Sequence, residues 1–163
     1  NRITKEKKTT VYAFVRDPNL YPLSKYLDYA DLALTRKKQH LKTFTNGLVD
    51  KDPVIRYWSV IGLLLLEKQA KPAISELKNV LDDCDEIPAF AAWAIYKAGD
   101  KSFAEKWMLD SISANPTNKT LANIFDWMDK GSFSILAKIP TDNLPEKGLL
   151  KDVVARYKTR VGS

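Results

Sequence analysis

Only a few side chains in this sequence are of the types that do chemistry, and their spacing limits what they can do. There is one cysteine, Cys84, and one histidine, His40. A single cysteine excludes an internal disulfide and any metal site built from several thiolates. With His40 as the sole imidazole, neither a two-histidine zinc site nor a Ser-His-Asp arrangement is expected. Cys84 stands in Asp82-Asp83-Cys84-Asp85-Glu86, where like charge disfavours the thiolate, so an inert thiol is expected. The same acids could gather around calcium, which takes several oxygen ligands, but the glycine and spacing of an EF-hand loop are missing. They read instead as a solvated turn between helices. His40 lies beside Lys37, Lys38 and Lys42, with no nucleophile or carboxylate spaced to serve as its partner, and an exposed helix position is expected. No catalytic, metal-binding or cofactor-binding residue is assigned, and the chain itself is not expected to be an enzyme.

Binding chemistries remain. The net charge of +6 is uneven: residues 1–50 hold ten Lys or Arg against five acids, and the rest hold sixteen against fifteen. The excess sits at Lys5, Lys7, Lys8 and Arg36-Lys37-Lys38. Such a patch can steer a protein toward a polyanion, although a solvated face and a loose tail explain it as well. Lys25, Tyr26, Tyr29 and Arg36 interleave cations with aromatic rings, as single-stranded nucleic-acid binders do. No nucleic-acid motif accompanies them, and a nucleic-acid partner is not expected. Trp58, Trp93, Trp107 and Trp127 could stack on carbohydrate, but Trp58 and Trp93 fall on faces that the helices need for their core. The longest apolar run, Val60–Leu66, is far short of the roughly 20 residues a membrane span requires, so membrane insertion is not expected.

The elements that hold these residues are helices. Apolar residues recur at helical spacing and strand signals are weak. Leu23, Tyr26, Leu27, Ala30 and Leu34 form one stripe of a first helix, with Pro22 in its opening turn. A second is predicted from Arg36 to Val49 with Leu41, Phe44 and Leu48 inward and Gly47 as a local cost. Asp52 caps the next helix and Pro53 suits its first position. This helix carries Val54, Trp58, Ile61 and Leu65 and is apolar almost all round, which predicts packing on more than one side. Gly62 would admit a close neighbour. Further helices are predicted after Lys71-Pro72, from Ile87-Pro88 to Gly99, from a Ser102–Glu105 capping box to Asn115-Pro116, then to Gly131, and last from Pro145 to Tyr157. Phe133–Ile139 reads as a short helix or an extended piece. Residues 1–21 are predicted as a tail or linker and 22–163 as one domain.

A shift of 32 residues superposes Asp50 on Asp82, Ile55 on Ile87, Trp58 on Phe90, Ile61 on Trp93, Gly62 on Ala94 and Leu63 on Ile95. The clearest repeats span 48–81 and 82–114, and a third copy is degenerate, failing at Lys119. Repeats of this length with two helices each suggest stacked pairs sharing one core. The expected fold class is therefore all-α, with antiparallel helix pairs stacked as a short α-solenoid.

Asp52-Pro53-Val54-Ile55-Arg56, after an acidic turn, resembles the HEAT-type repeat signature. That resemblance implies a capping role for Asp52 and a role for Arg56 in packing or pairing across to the adjacent repeat. Pro88 stands where the second repeat would place its arginine, so no continuing ladder is implied. More widely, Tyr12-Ala13-Phe14-Val15-Arg16-Asp17-Pro18, Tyr29-Ala30-Asp31 and the repeats from Leu48 to Met128 resemble the helical region that follows the catalytic domain in some bacterial sulfatases acting on glycans. Sulfatases are recognised by Cys-or-Ser-x-Pro-x-Arg, and Cys84-Asp85-Glu86-Ile87-Pro88 fails at the proline and the arginine. The family's calcium-binding acids and catalytic histidines have no counterpart. The resemblance thus implies a non-catalytic accessory domain, with formylglycine and calcium belonging to a parent enzyme upstream of Asn1 and a periplasmic or secreted location. A start at Asn1 rather than methionine fits a piece of a longer chain. The partner would be the enzyme's own catalytic domain, another protein or a further copy of the chain. The alternative is a free-standing HEAT-like adaptor for protein–protein contacts.

Overall fold

The computed structural model describes residues 10–84, 86–140, 144, 146 and 148–161. Among them every regular element is helical. We number the α-helices α1 (Val11–Arg16), α2 (Leu23–Leu34), α3 (Leu41–Gly47), α4 (Pro53–Leu66), α5 (Ile74–Lys78), α6 (Ile87–Ala98), α7 (Lys101–Ala114), α8 (Lys119–Met128), α9 (Phe133–Leu136) and α10 (Leu149–Val161), with 3-10 turns at Lys38–His40, Glu67–Ala73 and Asp129–Ser132. No described helix is long and apolar enough to cross a membrane.

Packing follows a simple order. Helices α2, α4, α6, α8 and α10 form a file, each against the next, while α3 lies on α4, α5 and α7 lie on α6, and α9 lies against α7 and α10. Helix α4 is therefore enclosed by α2, α3 and α6, as its all-round apolar sequence requires. Ile55, Val60, Gly62, Leu63, Leu64 and Leu66 are all buried on it, whereas Val54, Trp58, Ile61 and Leu65, expected as its inward face, are only half-buried. The crossing with α3 depends on two glycines. A Cβ on Gly62 would lie 2.6 Å from the Phe44 ring, and one on Gly47 would collide with Ser59 Oγ. Gly47 is thus the point where α3 and α4 touch, rather than merely a local cost.

The 32-residue shift matches burial as well as sequence: Ile55 and Ile87, Gly62 and Ala94, and Leu63 and Ile95 are buried pairs. One shift further, Asp126 and Trp127 are exposed where Ala94 and Ile95 are enclosed, so the match ends at α8. Several boundaries differ from expectation. Arg36 adopts a left-handed backbone, φ 53°, so the chain turns there and α3 begins only at Leu41. Helix α7 starts one residue before Ser102, and Asp100 caps it by accepting from Phe103 N–H at 3.4 Å. Glu105, expected in a capping box, instead accepts from Ser134 Oγ and pairs with Lys138. The segment read as a tail contains α1, capped by Thr10. Phe133–Leu136 is helical, and α10 starts at Leu149, while Pro145 lies outside the described residues.

Candidate functional site: a polar node and an open helical face

Asp52, Pro53 and Arg56 meet at the start of α4. Asp52 accepts from Val54 N–H at 3.0 Å and Pro53 fills the first position, where a missing N–H leaves no bond unmade. The node then reaches both ways along the file. On the α2 side, Tyr26 Oη donates to Asp52 at 2.8 Å and Lys25 pairs with Asp50. On the α6 side, Arg56 grips Asp83 with both Nε and Nη2, the latter at 2.7 Å, while its Nη1 donates to the carbonyls of Asp50 and Lys51. This bidentate geometry matches the planar guanidinium to a carboxylate. The guanidinium holds the Asp83 carboxyl down to about 2. Burial, with help from the Asp52 carboxylate, pushes the Tyr26 phenol up to about 12. Spacing alone gave no reason to choose Asp83 from the acidic turn; its place one repeat after Lys51 was the only available signal.

The other residues singled out in the sequence have structural work. Asp83 is engaged by Arg56, Asp82 and Glu86 are exposed, and Asp85 lies outside the described residues. No group of three or more His, Cys, Asp or Glu among the described residues could hold a metal ion. Cys84 is exposed, but its Sγ has Arg56 Nη2 3.9 Å away, so its surroundings include a cation as well as acids. His40 is half-buried, its ring roughly perpendicular to that of Phe44 with centroids 6.4 Å apart, rather than exposed. Lys25, Tyr26 and Tyr29 are taken up by the node and by packing near Gly47. Trp58, Trp93 and Trp107 are half-buried against the core. Trp127 is 57% exposed, stacked on Phe90 with Trp93 beside it.

A different feature lies at the N-terminal end. Among the described residues nine large apolar side chains are exposed, and seven of them, Val11, Tyr12, Val15, Leu23, Leu27, Leu34 and Val49, fall before Asp50. Of the stripe Leu23, Tyr26, Leu27, Ala30 and Leu34, the three leucines point away from the core, Leu27 54% and Leu34 69% exposed, while Tyr26 and Ala30 are half-buried. Helix α2 meets the stack through half-buried Tyr26, Tyr29 and Leu32 and buried Ala33. Helix α1 has no buried residue. The surface this leaves on α2 is apolar, and the node fixes that helix to the stack.

No protein-family model, curated protein or solved structure matches the chain.

Proposed function

We propose that this chain is a non-catalytic, HEAT-like helical-repeat accessory domain from the C-terminal part of a sulfatase-like hydrolase, and that it acts by docking. One observation carries the docking part: the apolar side chains left in water are concentrated at one end of the helix file. Terminal units of stacked-helix proteins need a polar outer face to be soluble alone, and contiguous exposed apolar surface marks interaction sites. The sulfatase part rests on the resemblance, and formylglycine and calcium chemistry has no seat in these residues. Cys84 lacks the x-Pro-x-Arg that must follow the nucleophile, and it sits in a surface turn against Arg56.

The reading frame upstream of Asn1 tests the assignment. A domain containing Cys-or-Ser-x-Pro-x-Arg is expected there. A frame without it removes the sulfatase parent and leaves the second reading, a free-standing adaptor, which the same exposed end favours. Sulfate-ester hydrolysis by the purified chain should not rise above background, and sustained turnover would overturn the non-catalytic assignment.

A further inference from the structure

We propose that the face shared by α4, α6 and α8 binds an acidic oligosaccharide. Trp127 stacks on one sugar ring, and Lys68, Lys97 and Lys101 meet its carboxylate or sulfate groups. This goes beyond the docking reading and uses a different surface. The same ends of the three helices meet here. Their starts, at Pro53, Ile87 and Thr120, border a cavity of about 610 Å³ together with Tyr57 and Glu86. Their far ends, at Glu67, Lys97 and Met128, border a second of about 270 Å³ with Lys68, Tyr96 and Lys101. A run of rings lies between the two. Tyr57 meets Phe90 edge-on at 5.7 Å. Phe90, Trp93 and Trp127 lie 6.2–6.4 Å from one another with planes 24–30° apart. Glu86, Phe90, Trp93 and Lys97 fall at i, i+4, i+7 and i+11, one stripe along α6, so the rings connect the cavities.

The ring geometry favours a sugar. Three rings piled face on face, at about 3.5 Å per contact, would set the outer two about 7 Å apart, more than any separation found here. They therefore spread sideways as a stepped platform, and its most exposed ring, Trp127, is 57% exposed. An indole held by two neighbouring rings is fixed in place, and the negative potential of its face attracts the polarised C–H bonds of a pyranose. Thr120 lies two turns before Trp127 on α8 and Glu86 one turn before Phe90; a hydroxyl and a carboxylate are partners for sugar hydroxyls.

Charge decides the class of ligand. The second cavity is bordered by three lysines and one acid, Glu67, which pairs with Lys97 at 3.1 Å. Asp129 and Lys130, which follow Met128, add no net charge. Glu105, whose field reaches Tyr96, is taken up by Ser134 and Lys138. Lys101 opens α7, where the helix dipole disfavours a cation, so helix stability does not account for it. Among the described residues the first cavity is bordered by an acid, Glu86, and no cation. A nucleic-acid strand needs a cationic groove that tracks its whole backbone, and Glu86 stands in that path. A saccharide needs cations only where its acidic groups fall.

Calorimetric titration of the purified chain with three hexasaccharides tests this: one sulfated, one carrying uronate alone and one neutral, with a thymidine hexanucleotide as the fourth probe. At least one acidic hexasaccharide should bind about tenfold or more tightly than both the neutral one and the oligonucleotide, and the two acidic arms show which group the lysines take. Trp127→Ala should weaken that binding about tenfold or more while leaving the circular dichroism spectrum unchanged. Lys68→Gln together with Lys101→Gln should erase the advantage of the acidic saccharide over the neutral one. Acidic-saccharide binding that survives Trp127→Ala, equal or tighter binding of the oligonucleotide, or no saccharide binding would each overturn the inference. The upstream reading frame decides the sulfatase parentage independently: a frame without the motif leaves this face standing, and failed saccharide binding leaves the parentage untouched.

Discussion

At the C-terminal end of the file, α10 turns Leu150, Val153 and Val154 into the stack and leaves Lys151, Asp152, Arg156, Lys158 and Arg160 to water. Arg156 also pairs with Asp126 of α8 at 2.7 Å, and Tyr157 packs edge-on to Phe133. At the N-terminal end α2 does nearly the reverse: tyrosines and an alanine face the stack, and leucines face out. Both helices are amphipathic and of similar length, so periodicity cannot tell them apart. The difference lies in how each is attached. Helix α10 is held by burial of its apolar stripe, whereas α2 packs through Tyr29, Leu32 and Ala33 and adds two polar contacts, Tyr26 on Asp52 and Lys25 on Asp50, which leaves its leucines in water.

Substitutions at the two ends should therefore behave differently. Leu150→Ala, at a residue only 3% exposed, should cost about 2–5 kcal/mol in urea unfolding, the range for emptying a packed leucine site. Gly62→Ala should cost about 1–3 kcal/mol, because the new methyl group meets the Phe44 ring and α3 must shift to admit it. A neutral Gly62→Ala would mean that the α3–α4 crossing has slack.

The node gives the comparison a pH dependence. Asp83 has its folded pKa lowered to about 2 from 3.8, so its contribution is present above the unfolded value and is lost as pH falls from about 4 toward 2. Stability should drop by roughly 1–3 kcal/mol over that range, and Arg56→Gln should flatten the drop. Tyr26 has its folded pKa raised to about 12 from 10.0, so its contribution is complete below pH 10 and is lost as pH rises from there through 12. Tyr26→Phe should remove this alkaline loss and cost about 0.5–1.5 kcal/mol at neutral pH, one hydrogen bond's share. If α2 is anchored as described, Tyr26→Phe should also speed hydrogen exchange in α2 more than in α10. The smallest effect is expected at the open face itself: Leu27→Ala or Leu34→Ala should change stability by less than about 0.5 kcal/mol.

Much of this was legible in the sequence where a local signal had a local cause. Asp52-Pro53 marked the start of α4, Gly99 the end of α6 at φ 120°, and the 32-residue shift found the residue pairs that are buried together. Long-range choices were not legible. Periodicity located the Leu23–Leu27–Leu34 stripe but could not say which side of α2 the rest of the chain would cover. Arg56 finds Asp83 across 27 residues, a distance over which spacing carries no information about pairing. At α7 the capping-box spacing pointed to Ser102, whereas Asp100 caps the helix and is also held by Lys78 at 2.8 Å, a tertiary contact invisible to a capping rule. An apolar face left open and one that is buried look alike in one dimension.

The contrast between the ends can be measured with thiol probes. In a Cys84→Ser background, cysteine is placed at Leu27 or at Val153 and its reaction with a thiol reagent is timed at low protein concentration. Leu27→Cys should react at close to the rate of the unfolded chain, and Val153→Cys, at a site 3% exposed, should react only as the domain opens, orders of magnitude more slowly. Comparable protection at both positions would contradict the account, because the α2 face would then already be covered in the isolated chain.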